Sequence, residues 1–273
     1  MIIRRIAVAI DCSPHSMASL KAARELAERL QADIQGIFVE DSNLFRLAEL
    51  PFSCEIRPYN QEPRVIEPAE LERAVRRQAQ KAESALLAAI ENSTLRHSFI
   101  TRRGLVPEEV VAAALESDLL VLGRSGKSPT CRRGLGSTAQ KALVEGKKPL
   151  LIMRHGISAT EEPCLALYDG SEGAEKALQA ALFLTPPEAL LHVLILENDP
   201  EEAWRMETSI REQEPERADA MEFHHLAGED AKTIARFIRM LDSGLVVLCD
   251  EMRMAKEDIR ELVSVLDYPI LLV

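Results

Sequence analysis

The chain alternates short apolar runs with amphipathic segments, and this alternation limits the folds open to it. In residues 1–155, runs rich in Val, Ile and Leu predict strands, and apolar residues spaced three to four positions apart predict helices between them. The order β-α-β-α-β-α-β-α-β predicts a parallel sheet with helices on both faces. The predicted strands cover residues 3–10, 33–39, 96–101, 119–122 and 149–153, and residues 41–68 are predicted to be irregular.

The second half of the chain repeats the first. Asp11-Cys-Ser13 corresponds to Asp169-Gly-Ser171, the apolar run 119–122 to 245–248, and the strand 149–152 to 269–272. We therefore predict an α/β protein of two tandem five-stranded parallel-sheet domains, Rossmann-like and of strand order 3-2-1-4-5. The domains would span residues 1–155 and 163–273. In this strand order, the ligand crevice lies between strands 1 and 4, beyond their carboxyl ends.

Composition narrows the classes of function. The net charge of −11 argues against general nucleic-acid binding, although residues 1–155 carry +4 and residues 156–273 carry −15. No apolar run has the length of a membrane span, and the sequence begins directly with a predicted strand, so we expect a cytoplasmic protein without membrane insertion. The five scattered cysteines contain no CxxC pair, which predicts free thiols.

A glycine-rich, basic loop follows the fourth predicted strand. Residues 123–138 hold four glycines and four cations, and no acidic residue occurs between Asp118 and Glu145. Glycines let the backbone approach an anion closely, and the helix that begins near Ser137, predicted as its N-cap, presents unpaired N–H groups. The loop therefore predicts a phosphate site, although a plain strand-to-helix turn remains the alternative.

The second copy has lost this loop. From Gly123 to Pro149 is 26 positions, whereas from Cys249 to Pro269 is 20, and the remaining segment 249–258 has four acidic residues and no glycine. Acidic side chains repel phosphate. We therefore predict one nucleotide site per chain, in the first half, and leave open whether the second crevice is empty, plugged or used for another ligand.

Three related classes of phosphate-handling protein fit the sequence poorly. Gly126-Lys127-Ser128 resembles the end of a Walker A loop, but that motif needs a glycine where this chain has Val121. A receiver domain would need an Asp after strand 3 and a Lys after strand 5, where Arg102 and Arg154 follow instead. The loop after strand 1 also differs from the Ser-Gly-Gly-x-Asp-Ser loop of pyrophosphatase-type proteins.

The spacing Gly123-x2-Gly126-x9-Gly136-Ser137 resembles the ATP-binding signature of the universal stress protein family, G-2x-G-9x-G-(S/T). The resemblance extends to Ala7–Ser13, to Gly104-Leu-Val-Pro107 and to Lys148-Pro149, and it covers the whole chain as a tandem pair. It implies an ATP-binding regulatory protein of the stress response, with ATP and Mg²⁺ as ligands.

The resemblance also implies which residues form the site. Residues at the ends of strands 1 and 2 would flank adenine and ribose, and Asp11 would accept hydrogen bonds from the ribose or help to hold a metal ion, with a helix-capping role as its alternative. The glycine loop and the following helix would hold the phosphates, with Arg124 as the contacting cation. The full set is Ala9, Ile10, Asp11, Val39, Leu122, Gly123, Arg124, Ser125, Gly126, Gly136, Ser137 and Thr138.

The resemblance further implies pairing through the fifth strands, so that Pro149–Met153 would pair with Pro269–Val273 within one chain and the second half would act as a built-in dimer partner. A homodimer of such chains and an unknown protein partner stay open. The alternative function is a slow ATPase or a protein that phosphorylates itself on Ser137 or Thr138. No catalytic residue is assigned.

Two smaller signals come from His224-His225 and Cys131. The two histidines lie on a predicted strand, so their side chains point to opposite faces and do not easily share one metal ion; no metal ligand is assigned. Cys131 lies beside Arg132 and Arg133, which lower the pKa of a thiol, although a bystander role is the alternative.

Overall fold

The structure is a computed structural model that describes residues 2–57, 60–126, 134–156, 163–228, 230–241 and 244–273. The first half contains seven strands and five helices within these residues. In chain order they are β1 (Arg5–Ala9), α1 (Pro14–Leu30), β2 (Asp33–Asp41), α2 (Ser42–Glu49), β3 (Cys54–Arg57), β4 (Asn60–Val65), α3 (Pro68–Ile90), β5 (His97–Gly104), α4 (Val106–Ala114), β6 (Leu119–Gly123), α5 (Ser137–Glu145) and β7 (Leu150–Met153).

The second half has five strands and four α-helices among the described residues, and it contains no counterpart of α2, β3 and β4. In chain order they are β8 (Cys164–Tyr168), α6 (Glu172–Leu184), β9 (Leu191–Leu196), α7 (Pro200–Gln213), β10 (Met221–Leu226), α8 (Ala231–Ile238), β11 (Leu245–Leu248), α9 (Lys256–Val265) and β12 (Ile270–Leu272).

The predicted strand order is confirmed in both halves. The first half has the order β7-β6-β1-β2-β5, and the second has β10-β9-β8-β11-β12, with parallel neighbours throughout. In the first half, α1 packs beside α3 and α4 packs beside α5, so these pairs cover the two faces of the sheet. The crossover from β5 to β6 changes face, which opens a crevice between β1 and β6.

The two half-sheets form one sheet of ten strands. β7 pairs antiparallel with β12, and Leu151 lies directly opposite Leu271. All residues of both strands are buried. The contact satisfies the backbone groups of two strands that would otherwise be exposed sheet edges.

Residues 41–68 are more ordered than predicted. They contain α2, capped by the side chain of Asp41, and the antiparallel hairpin of β3 and β4. The prediction of an irregular segment was wrong because proline and polar residues weakened the strand pattern, whereas a two-stranded hairpin does not need a buried apolar face. Within the described part of the chain, no helix combines the length and apolar character needed to cross a lipid bilayer.

Candidate functional site

A cavity of about 310 Å³ lies at the carboxyl ends of β1, β2 and β6 in the first half. This volume is within the range of pockets that hold small molecules. Nine of the twelve predicted site residues line it: Ala9, Ile10, Asp11, Val39, Leu122, Gly123, Ser125, Gly126 and Thr138. The cavity lies at the crevice predicted from the strand order, whereas Arg124, Gly136 and Ser137 are not among the residues that line it.

Asp11 lies just after the end of β1, and its two carboxylate oxygens have different roles. Its Oδ1 accepts a hydrogen bond of 2.8 Å from the backbone N–H of Ser13, which shapes the turn into α1. Ser13 itself is the N-cap of α1 and accepts from the N–H of Ser16. Asp11 Oδ2 faces the glycine loop, because a Cβ on Gly126 would lie 3.0 Å from that oxygen. Asp11 thus supports the turn and also presents one oxygen to the cavity.

Two glycines allow the loop after β6 to pack where it does. A Cβ on Gly123 would lie 2.9 Å from the backbone carbon of His15 in α1, so the end of β6 fits against this helix only without a side chain. A Cβ on Gly136 would lie 3.3 Å from Cα of Ser125 and 3.7 Å from the backbone nitrogen of Gly126. The two ends of the loop therefore meet beside Asp11.

The start of α5 differs by one residue from the prediction. Gly136, not Ser137, is the N-cap, and no side chain caps the helix. Thr138 lines the cavity, whereas Ser137 is exposed. A glycine cap leaves the first N–H groups of the helix without the side-chain acceptor that a capping serine supplies, and such groups are suited to bind an anion.

The prediction that the Arg124 side chain contacts phosphate was wrong. Arg124 is buried, and its guanidinium points away from the cavity to the C-terminal end of α9, where it donates to the carbonyl oxygens of Val263 and Ser264. Asp267 lies 3.9 Å from its Nε. A cation at the C-terminus of a helix is attracted by the negative end of the helix dipole, which explains this direction. Burial lowers the pKa of Arg124, and Asp267 opposes this shift.

The backbone of Arg124 joins β7 to the start of α5. Its N–H donates to Met153 and its carbonyl accepts from Gly136. Arg124 therefore connects the cavity loop, the last strand of the first half and α9 of the second half. The other three cations of the loop and Cys131 lie outside the described residues.

The cavity also has walls that the sequence analysis did not assign. Apolar and amide side chains come from the strand ends and from α2, α3 and α4; they are Ile37, Phe38, Leu44, Val75, Gln78, Val106 and Val110. Helix spacing alone does not identify them, because residues facing a crevice repeat with the same period as residues facing a core. They make one side of the cavity apolar, opposite the polar loop.

At the equivalent place in the second half, the carboxylate is bonded to backbone groups of the protein itself. Asp169 takes the position of Asp11 and is buried, with Oδ1 accepting from Ser171 and Oδ2 accepting from the backbone N–H of Arg253 at 2.6 Å. The segment after β11 thus bonds to the carboxylate oxygen that faces the cavity in the first half. Met252 and Met254 from this segment are buried in the core. The shorter connection between β11 and α9 therefore occupies a carboxylate oxygen whose counterpart lines the cavity of the first half.

Residues 3–154 match the model of the universal stress protein family, and the chain belongs to this family. A universal stress protein from Archaeoglobus fulgidus has the same fold, with 15% identity, 98% of this chain and 97% of that chain covered, and a TM-score of 0.71. A putative universal stress protein from Pseudomonas aeruginosa shares 16% identity over 99% of this chain and 93% of that chain, with a TM-score of 0.62. No curated protein sequence matches the chain significantly.

Proposed function

We propose that this chain is an ATP-binding regulatory protein of the universal stress response, with one nucleotide in its first half. The observation that carries this proposal is the meeting of Asp11, Gly126 and Thr138 at one cavity beyond the carboxyl ends of the strands. Parallel α/β sheets bind ligands at this place, and the uncapped start of α5 suits phosphate.

The two sides of the cavity suit the two ends of an adenine nucleotide. The apolar side, with Phe38, Val39 and Val106, is suited to a planar base, and the backbone at Ala9 and Ile10 lies beside it. The polar side, with Ser125, Gly126 and Thr138, is suited to the phosphates. Asp11 Oδ2 would accept from a ribose hydroxyl or help to hold Mg²⁺, which prefers carboxylate and phosphate oxygens.

We further propose that residues 163–273 act as a built-in partner rather than as a second nucleotide site. The Arg253 N–H bonded to Asp169 and the lack of a glycine loop support the absence of nucleotide there. The antiparallel contact of β7 with β12 supports the partner role. Residues 1–155 would then form the nucleotide domain, and Arg124 would carry changes in its loop to α9. A cytoplasmic location stays a prediction from the sequence.

Titration calorimetry with Mg²⁺ and ATP tests the nucleotide site. We expect a stoichiometry of one ATP per chain, because the glycine loop belongs to the first half and Asp169, the counterpart of Asp11, already accepts from the Arg253 N–H. The comparison with GTP in the same buffer measures the selectivity of the apolar side for adenine. The absence of ATP binding at about 1 mM nucleotide, which corresponds to roughly −4 kcal/mol, would contradict the proposal.

Slow hydrolysis or self-phosphorylation is the second candidate function, and the position of Thr138 favours Thr138 over Ser137 as its acceptor. Among the described lining residues, Asp11 and Asp41 are the only side chains that carry charge, and each also accepts from a backbone N–H in a local turn. Phosphoryl transfer normally uses cationic groups and a positioned base as well. We therefore expect this chain to bind ATP without hydrolysing it at a significant rate.

Incubation with γ-labelled ATP separates the two functions. The Thr138→Val variant lacks the hydroxyl that faces the cavity, so it gives the background level of phosphate release. We expect the wild type to release no more phosphate than this variant and to carry no label. Release or labelling that depends on Thr138, in a variant that still binds ATP, would instead establish catalysis.

A further inference from the structure

A cluster of two histidines and one glutamate lies on the edge of the ten-stranded sheet, in the second half of the chain. β10 is the edge strand and β9 is its neighbour. His192 on β9 is in register with Glu222 on β10, and His224 follows Glu222 by two residues, so the three side chains share one face of the sheet. The cluster lies near the amino-terminal end of β9, away from the carboxyl ends that form a crevice.

The atoms of this cluster are close enough to share one ion. Nδ1 of His192 lies 3.1 Å from Nε2 of His224 and 3.7 Å from Oε2 of Glu222. Nε2 of His224 lies 3.9 Å from Oε1 of Glu222. One ligand atom from each of the three residues lies within 4.8 Å of the other two. A tetrahedral ion with bonds of about 2.0–2.1 Å separates its ligand atoms by roughly 3.3 Å, so small rotations of the side chains bring these three atoms into place.

The surroundings leave one side of the cluster open. His192 is buried and His224 packs edge-on against the ring of Phe237 in α8, which holds both imidazoles in position. The side chain of Glu222 is 56% exposed, so an ion and a water ligand can reach the cluster from solvent.

We propose that His192, Glu222 and His224 form a binding site for a divalent transition-metal ion, Zn²⁺ foremost, with water in the fourth position. Two imidazoles and one carboxylate suit Zn²⁺, whereas Mg²⁺ and Ca²⁺ prefer oxygen ligands only. The ion would join the edge strand to its neighbour. In the metal-free state, the hydrogen bond between the two histidines takes its place.

His225 supplies a matched control. It follows His224 directly but points to the other face, where its Nε2 lies 2.9 Å from Glu207 and its ring packs against Trp204 in α7. Among the described residues, His192, Glu222 and His224 form a group whose ligand atoms lie close enough to share an ion, and His225 does not belong to it. The variants His224→Gln and His225→Gln therefore remove the same chemical group from adjacent positions with opposite expected effects.

The test uses the full chain without an affinity tag, stripped by a chelator and titrated with Zn²⁺ by calorimetry. We expect one ion per chain, and a rise of more than about tenfold in Kd for His224→Gln and Glu222→Gln, because loss of even an indirect contact to a ligand costs 10–100-fold. His225→Gln should bind as the wild type does. Titration with Co²⁺ should give visible bands without a thiolate charge-transfer band, which excludes binding by cysteine.

Circular dichroism verifies that each variant is folded. His192→Asn removes a buried ring and can unfold the chain for that reason alone. The test therefore relies on the variants at Glu222 and His224, whose side chains are more exposed. Failure of the wild type to bind Zn²⁺ or Co²⁺, or equal binding by His224→Gln and His225→Gln, would overturn the proposal.

Discussion

The Gly126→Val variant is expected to lose most of its affinity for ATP while it keeps its fold. A Cβ at this position would lie 3.0 Å from Asp11 Oδ2, so a valine side chain would occupy the space between that carboxylate and the loop. Gly126 is exposed and its backbone does not need a positive φ, so the substitution adds no strain elsewhere. Overfilling a packed space costs about 1–3 kcal/mol, which raises Kd roughly 5- to 150-fold.

Gly134 provides the control within the same loop. A Cβ added at Gly134 meets no atom of the described residues within 4 Å, and Gly134 does not line the cavity, so Gly134→Val changes the bulk of the loop without entering the cavity. Calorimetry should give the wild-type Kd for Gly134→Val and the weakened value for Gly126→Val. Equal affinities of the two variants would place the nucleotide outside this cavity, even if the chain binds ATP.

The second large effect is expected from Arg124→Ala, which should lower the free energy of unfolding by about 2–4 kcal/mol. The Arg124 side chain is only 7% exposed and donates to two carbonyl oxygens at the end of α9. Its loss leaves these carbonyls without their charged donor and creates a void between the halves. Urea unfolding, followed by circular dichroism, measures the change.

Arg154 is the matched control for this prediction. It also pairs with Asp267, at 3.2 Å, but its side chain is 38% exposed and that of Asp267 is 58% exposed. Ion pairs in contact with water contribute little, so Arg154→Ala should cost less than about 1 kcal/mol. If both variants lose the same stability, the burial of Arg124 does not hold the halves together, and its proposed role as the connection to α9 fails.

Much of the fold was predictable from the sequence because the relevant signals are local. The alternation of apolar runs with amphipathic segments determines the parallel sheet, and the repeated Asp-x-Ser turn at Asp11 and Asp169 reveals the duplication. The spacing of Gly123, Gly126 and Gly136 identifies the loop beside the crevice. These features depend on neighbouring residues, where steric rules and helix capping act directly.

Other features depend on how distant segments meet, and the sequence did not reveal them. The hairpin of β3 and β4 and the short helix α2 interrupt the pattern without the apolar period that marks a core element. The adjacent histidines His224 and His225 are visible in the sequence, but the metal cluster also needs His192. The pairing of β9 with β10 brings His192 beside Glu222. Register between strands is a tertiary property.

The alternating architecture, the duplication and the place of a glycine-lined crevice in the first half follow from local patterns of residues. The partners of the charged groups depend instead on contacts between distant segments. Arg124 turns from the cavity to α9 because the end of that helix offers carbonyl oxygens in a buried contact, and Arg253 presents its N–H to Asp169 because the second loop is short enough to fold over it. The electrostatic energy of a charged group depends on its distance to its partners in the folded chain, and these partners lie far away in the sequence.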